Sequence, residues 1–156
     1  MRAKVYIESS VISYLVSRPS RDLIVAARQA VTAEWWDHRR SRFGLYVSAL
    51  VEEEISNGDP AAAAKRLEIV HDIPALDISE GAKALAKRLL ERGAVPAGSE
   101  EDALHIAIAA AAGMSYLLTW NFKHINNAET KEQIMEVVES HGFACPTLCS
   151  PEELGL

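Results

Sequence analysis

Several points along this 156-residue chain set an oxygen-bearing side chain just past a short apolar run. Glu8 follows Val5-Tyr6-Ile7. Ser48 closes Leu45-Tyr46-Val47, and the helix expected after it carries Glu52, Glu53 and Glu54. Thr119-Trp120-Asn121 closes Tyr116-Leu117-Leu118, and Asp102 opens the apolar segment that precedes that run. In an open parallel sheet, ligands bind outside the carboxyl ends of the strands, so residues in these positions collect at one edge. Carboxylates crowded there repel one another and raise each other's pKa values. A divalent cation removes that penalty, and an all-oxygen donor set suits Mg²⁺ or Mn²⁺ better than zinc. An ion held this way lowers the pKa of a bound water and stabilises the charge of phosphodiester hydrolysis.

Each residue also has a plainer reading. Glu8 would serve as an ordinary polar strand end, although a carboxylate between a core strand and a helix is desolvated, which favours function. At least one of Glu52, Glu53 and Glu54 belongs to a solvated helix face. Ser99-x-x-Asp102 matches a capping box, and Asp in a first turn complements the helix dipole, so Asp102 fits a structural role equally well. His105 reads as a satisfied core histidine rather than a ligand.

The elements that must position these groups alternate between strand and helix. Val5-Tyr6-Ile7 is a strand, with Ser9 or Ser10 as cap of a helix through Leu15. Asp22 caps a helix towards His38 with Ile24, Ala27, Val31 and Trp35 on one face. A second strand ends at Ser48, and the helix after it stops at Asn57-Gly58. Asp59-Pro60 starts the next helix. Ala75-Leu76-Asp77-Ile78 is a third strand, and Ser79 opens a helix closed by Gly93. The segment from Glu100 to Ala112, apolar after Asp102 except for His105, predicts a helix buried on most sides. A fourth strand at Tyr116-Leu117-Leu118, a helix from about Thr130 to His141 and a short strand at Thr147-Leu148 complete the pattern. This alternation predicts a three-layer α/β/α fold, with a central parallel sheet of four to five strands covered by helices. No repeat or linker divides residues 1–156, so one domain is expected.

Composition narrows the partners. A formal charge of −6 argues against broad phosphate neutralisation, though not against an enzyme meeting nucleic acid through a bound metal and a local basic patch. Arg39, Arg40 and Arg42 form one such patch and read as a solvated helix end. Cys145 and Cys149 complete no zinc motif and read as structural thiols. No run approaches a membrane span and Glu8 interrupts any signal-like apolar region, so the cytoplasm is the expected location. The absence of GxGxxG, GxxxxGK[ST] and GxSxG removes the fingerprints of dinucleotide-binding, P-loop and α/β-hydrolase folds.

Four segments in order, Val5-Tyr6-Ile7-Glu8-Ser9-Ser10-Val11-Ile12, Ser48-Ala49-Leu50-Val51-Glu52-Glu53-Glu54-Ile55 with Gly58, Asp102-Ala103-Leu104-His105-Ile106-Ala107, and Leu117-Leu118-Thr119-Trp120-Asn121-Phe122-Lys123-His124, resemble the PIN domain. The likeness is nearest to VapC-type proteins, the toxin halves of toxin–antitoxin pairs. The resemblance implies a PIN-like fold and an Mg²⁺- or Mn²⁺-dependent endoribonuclease, commonly a homodimer, restrained by a small antitoxin. By position it assigns the family's first three acids to Glu8, Glu54 and Asp102, the hydroxyl beside the first acid to Ser9, and the variable fourth position to Thr119 and Asn121. The chain departs from the pattern in three ways. Glu8 is one methylene longer than the usual Asp, Asn121 replaces the fourth acid, and His124 stands where many members carry another Asp. The branch resembled carries this Glu and the Trp-Asn pair. An alternative expectation follows from these changes: a PIN-like module with little or no catalysis that binds an antitoxin-like partner.

Overall fold

The computed structural model describes residues 1–156. In chain order the elements are β1 (Lys4–Ile7), α1 (Ser9–Val16), α2 (Leu23–His38), a 3₁₀ turn (Arg40–Arg42), β2 (Gly44–Ser48), α3 (Ala49–Ile55), α4 (Pro60–Ile69), β3 (Ala75–Leu76), α5 (Glu80–Glu91), α6 (Glu100–Ala111), β4 (Tyr116–Leu118), α7 (Lys131–Ser140) and β5 (Thr147–Cys149).

All five strands are parallel, in the order β3-β2-β1-β4-β5. Val5, Tyr6 and Ile7 have no solvent exposure, as a central strand covered on both faces requires. The chain leaves β1 through α1 and α2 towards β2 and β3, then returns through α5 and α6 to β4 on the other side of β1. Right-handed crossovers in opposite directions place successive helices on opposite faces. Accordingly α1 packs with α2, α3 and α4, whereas α5 packs with α6 and α7. The result is three-layered α/β/α, as the alternation predicted. The strand order reverses between β1 and β4, which makes their carboxyl ends the topological switch point. A single cluster of 35 buried residues joins sheet and helices.

Caps set the helix starts. Asp22, Ser48, Asp59 and Ser79 each accept a backbone N–H three residues on, at 3.0–3.2 Å. Gly58 ends the α3 segment with φ of 85°, a conformation that only glycine adopts without strain. Some expectations change. The cap of α1 is Glu8 itself, whose Oε2 accepts from Ser10 N at 3.1 Å, and not a serine. Ser99 makes no capping bond to α6. The third strand is only Ala75–Leu76. On α2, Trp35 is buried, but Ile24 is 64% exposed and Ala27 is also exposed. The buried side of that helix runs through Thr32, Trp35 and Trp36, because its first turn projects beyond the core.

No helix is long and apolar enough to cross a membrane. The three arginines after α2 are engaged: Arg39 and Arg42 donate to Gly155 O, and Arg40 lies over the Trp36 ring. Both cysteines are free. Burial, with a nearby Glu139 charge, pushes the Cys145 thiol up to about 11. Burial and Glu153 push Cys149 up to about 12, against a small opposing effect of Lys131. Neither is a thiolate nucleophile at neutral pH.

Candidate metal centre

Glu8 lies between β1 and α1 and is only 7% exposed. Its Oε1 receives the Ser10 hydroxyl and, at 2.6 Å, the Thr119 hydroxyl. Those hydroxyls accept in turn: Ser10 Oγ from Trp120 N and Thr119 Oγ1 from Asn121 N, both at 2.9 Å. The segment after β4 is thereby bolted to the start of α1, and the Glu8 carboxylate is fixed between them. Trp120 anchors the segment to α2 through Nε1–H to Thr32 Oγ1 at 2.8 Å.

Glu54 comes from the last turn of α3. Glu52 and Glu53 point to solvent, while Glu54 is half-buried. Its Oε1 accepts the Ser9 hydroxyl and His105 Nε2–H, the latter at 2.7 Å. Behind it, His105 Nδ1 lies 2.7 Å from Tyr6 Oη, which is 2.7 Å from Ser48 Oγ. Burial alone raises the Glu54 pKa, yet the His105 hydrogen bond and charge and the Ser9 hydroxyl outweigh it, leaving the group below its ordinary value. Burial likewise lowers His105, but the bond to Glu54 and the charges of Glu8, Glu54 and Asp102 outweigh it and leave its pKa raised. Tyr6, buried beside these acids, titrates far above the usual tyrosine range.

Glu8, Glu54 and His105 bring ligand atoms within 4.8 Å of one another. His105 does not complete a donor set, however. Facing an ionised Glu54, its Nε2 carries a hydrogen in both the neutral and the charged imidazole. Its Nδ1 is occupied by Tyr6. It is a satisfied buried histidine, and its position is to hold Glu54.

Asp102 stands one turn before His105 on α6. Its Oδ1 accepts Asn121 Nδ2 at 3.0 Å, and its Oδ2 lies 2.8 Å from His124 Nδ1. Asn121 Oδ1 is taken by the backbone N–H groups of Lys123 and His124 at 3.2 and 3.0 Å. Asn121 therefore offers Asp102 a donor rather than offering an ion an oxygen. His124 Nδ1 also lies 3.3 Å from Ser99 Oγ. Ser10 is the residue that spacing did not single out. Its signal was its place two residues after a strand-ending acid, where a hydroxyl reaches back to the carboxylate.

Two carboxylates within 4.8 Å of one another, one kept ionised by its neighbours, are hard oxygen donors suited to a divalent cation.

The sequence matches no family model and no curated protein. Among solved structures, a chain of the VapBC2 complex from Rickettsia felis, crystallised bound to a DNA fragment from their promoter, superposes with a TM-score of 0.57 at 15% identity. The alignment covers 94% of this chain and 98% of that one. The fold is PIN-like. In this sheet β2, β1 and β4 are neighbours, and Glu8, Ser48 and Thr119 fall at their carboxyl ends.

Proposed function

We propose that this chain is a metal-dependent endoribonuclease of the VapC toxin type, hydrolysing RNA phosphodiester bonds. The observation that carries the reading is the convergence of Glu8 and Glu54 at the switch point, each held by its own hydroxyl donors, with Asp102 on the neighbouring helix. Glu8, Glu54 and Asp102 would hold Mg²⁺ or Mn²⁺. When bound, the ion supplies a water of lowered pKa and positive charge against the scissile phosphate.

The chain's own groups do the remainder. Ser9 and His105 fix Glu54 Oε1, leaving its ionised carboxylate to accept the attacking water's proton. Thr119 and Ser10 immobilise Glu8, so no reorganisation is needed as charge develops. Asn121 and His124 orient Asp102. The water oxygen bonds to phosphorus, the bond from phosphorus to a sugar oxygen breaks, and that oxygen takes a proton from solvent. The setting is the cytoplasm, with a homodimer and a small antitoxin as the expected assembly. The Rickettsia felis neighbour, solved as a VapBC2 complex on DNA, supports a partner of that kind.

A second reading has its own observation. Every one of the three carboxylates already has side-chain donors within the chain, so the cluster is satisfied without an ion, as an inactive partner-binding module would be. Incubating a mixed single-stranded RNA pool with purified protein in Mn²⁺, Mg²⁺ or EDTA separates the two. Cleavage in metal, absent in EDTA and in Asp102→Asn, supports the nuclease. Wild type that leaves RNA intact under all three conditions rules it out and leaves the module.

A further inference from the structure

The acid centre opens into a cavity of about 710 Å³ that includes Glu8, Ser9, Glu54 and Arg66. A second cavity, of about 350 Å³, shares Asp59, Ala62 and Arg66 with the first and ends at Arg18 and Lys65. Together they form one trough between α1 and α4 that leads away from Glu8 and Glu54.

The walls of this trough differ. Ser9 and Ser13 on α1 and Ser17 just past its end recur every four residues, a spacing of roughly 6 Å along the axis, and Ser13 and Ser17 line the successive cavities. Opposite and at the far end stand Arg66, Lys65 and Arg18. No carboxylate lies within 4.0 Å of any of these three cations. Asp59, the one acid between them, is engaged as the cap of α4 through Ala62 N at 3.0 Å. In a chain of net charge −6, three unpaired cations along one channel from an acid centre are a local reversal of sign. The two cavities have no aromatic lining residue, so nothing there stacks on bases.

We infer that this trough is the path of a single RNA strand on one side of the scissile phosphate, with Arg66, Lys65 and Arg18 meeting consecutive backbone phosphates and the α1 hydroxyls lining the opposite wall. The inference rests on the nuclease reading for the polarity of the trough. Contacts to phosphate position a strand without reading its sequence, so this path binds RNA of any sequence, and length matters more than base identity.

Arg66 also donates to Ile55 O and Asn57 O at 2.9 and 2.6 Å and shapes the loop beside Glu54, so the test uses the exposed pair. Binding of labelled single-stranded oligoribonucleotides of two unrelated sequences is measured by fluorescence anisotropy in EDTA across a salt series, for wild type and for Arg18→Gln/Lys65→Gln. The double variant should bind both sequences about tenfold more weakly at low salt. Its salt slope should be shallower by about 1.4, or 0.7 for each single-strand phosphate that is no longer neutralised. In Mn²⁺ its cleavage of the longer oligoribonucleotide should fall through KM, whereas cleavage of a dinucleotide should match wild type.

Equal affinity and equal slope in wild type and double variant would overturn the strand path and leave the nuclease reading standing. Wild type that binds RNA through this pair but never cleaves it would retain the path and remove the nuclease. Wild type that binds a poly-glutamate peptide and not RNA would assign the trough to an acidic protein partner and overturn the proposal.

Discussion

At the scale of single residues, the centre depends on how Glu54 is held. Its carboxylate is tied to His105 and Ser9, and the proposed mechanism has it take the proton from water. Replacing it by Gln keeps the shape and removes the charge. Glu54→Gln should lower kcat/KM for RNA by about 10²–10⁴-fold while the far-UV circular dichroism is unchanged. The same pair sets a pH window for stability. Glu54, with its pKa lowered in the folded state, contributes stability that is present above its ordinary value of 4.5 and is lost as pH falls through the folded value. His105, raised in the folded state, contributes stability present below 6.5 and lost as pH rises through its folded value. In EDTA, the melting midpoint of wild type should therefore exceed that of Glu54→Gln by most between pH 4.5 and 6.5, and the gap should narrow on both sides. A gap that grows steadily above pH 6.5 would contradict the pairing. The sequence made Glu8 and Asp102 visible because each sits at an element end beside an apolar run, whereas only the resemblance to the PIN domain separated Glu54 from Glu52 and Glu53. The side-chain direction of Asn121 was not visible. Which end of an amide faces a carboxylate is decided by backbone N–H groups two and three residues on, a local turn that residue type does not announce.

At the scale of elements, caps explain both where the sequence predicts the structure and where it does not. Asp22, Asp59 and Ser79 are legible because an Asx or Ser residue precedes an apolar-periodic run and nothing competes for its side chain. Ser99 matches the same rule, but its hydroxyl faces His124. Glu8 stands out in the sequence for its chemistry, although its carboxylate also caps α1. The α2 face differs from expectation at Ile24 and Ala27 because periodicity identifies a stripe and not where the core ends. A cap remote from the centre separates folding from chemistry. Asp22→Ala should destabilise the protein by about 1 kcal/mol, read from denaturant midpoints, with RNA cleavage below the transition unchanged. A loss of cleavage without a shift in midpoint would mean that the first turn of α2 has a part in the site beyond the Thr32 anchor of Trp120.

At the scale of the whole molecule, the strand order could be argued only as far as a parallel sheet, since alternation does not say which strands are neighbours. The reversal of order between β1 and β4 makes residues from four distant segments meet, and it is what turns scattered acids into one centre. A centre that holds an ion only when folded couples metal to stability. At about 100 times the dissociation constant, Mn²⁺ should add about 2.7 kcal/mol, a rise in melting temperature of roughly 5–10 °C for a domain of this size. Mg²⁺ should act in the same direction, and excess EDTA should reverse the rise. The most direct measurement is a calorimetric titration of Mn²⁺ into wild type, Glu8→Gln, Glu54→Gln and Asp102→Asn, each checked for fold by circular dichroism. The account predicts one ion per wild-type chain and a loss of binding in all three folded variants. Folded wild type that takes up no ion, or variants that bind as wild type does, would contradict it.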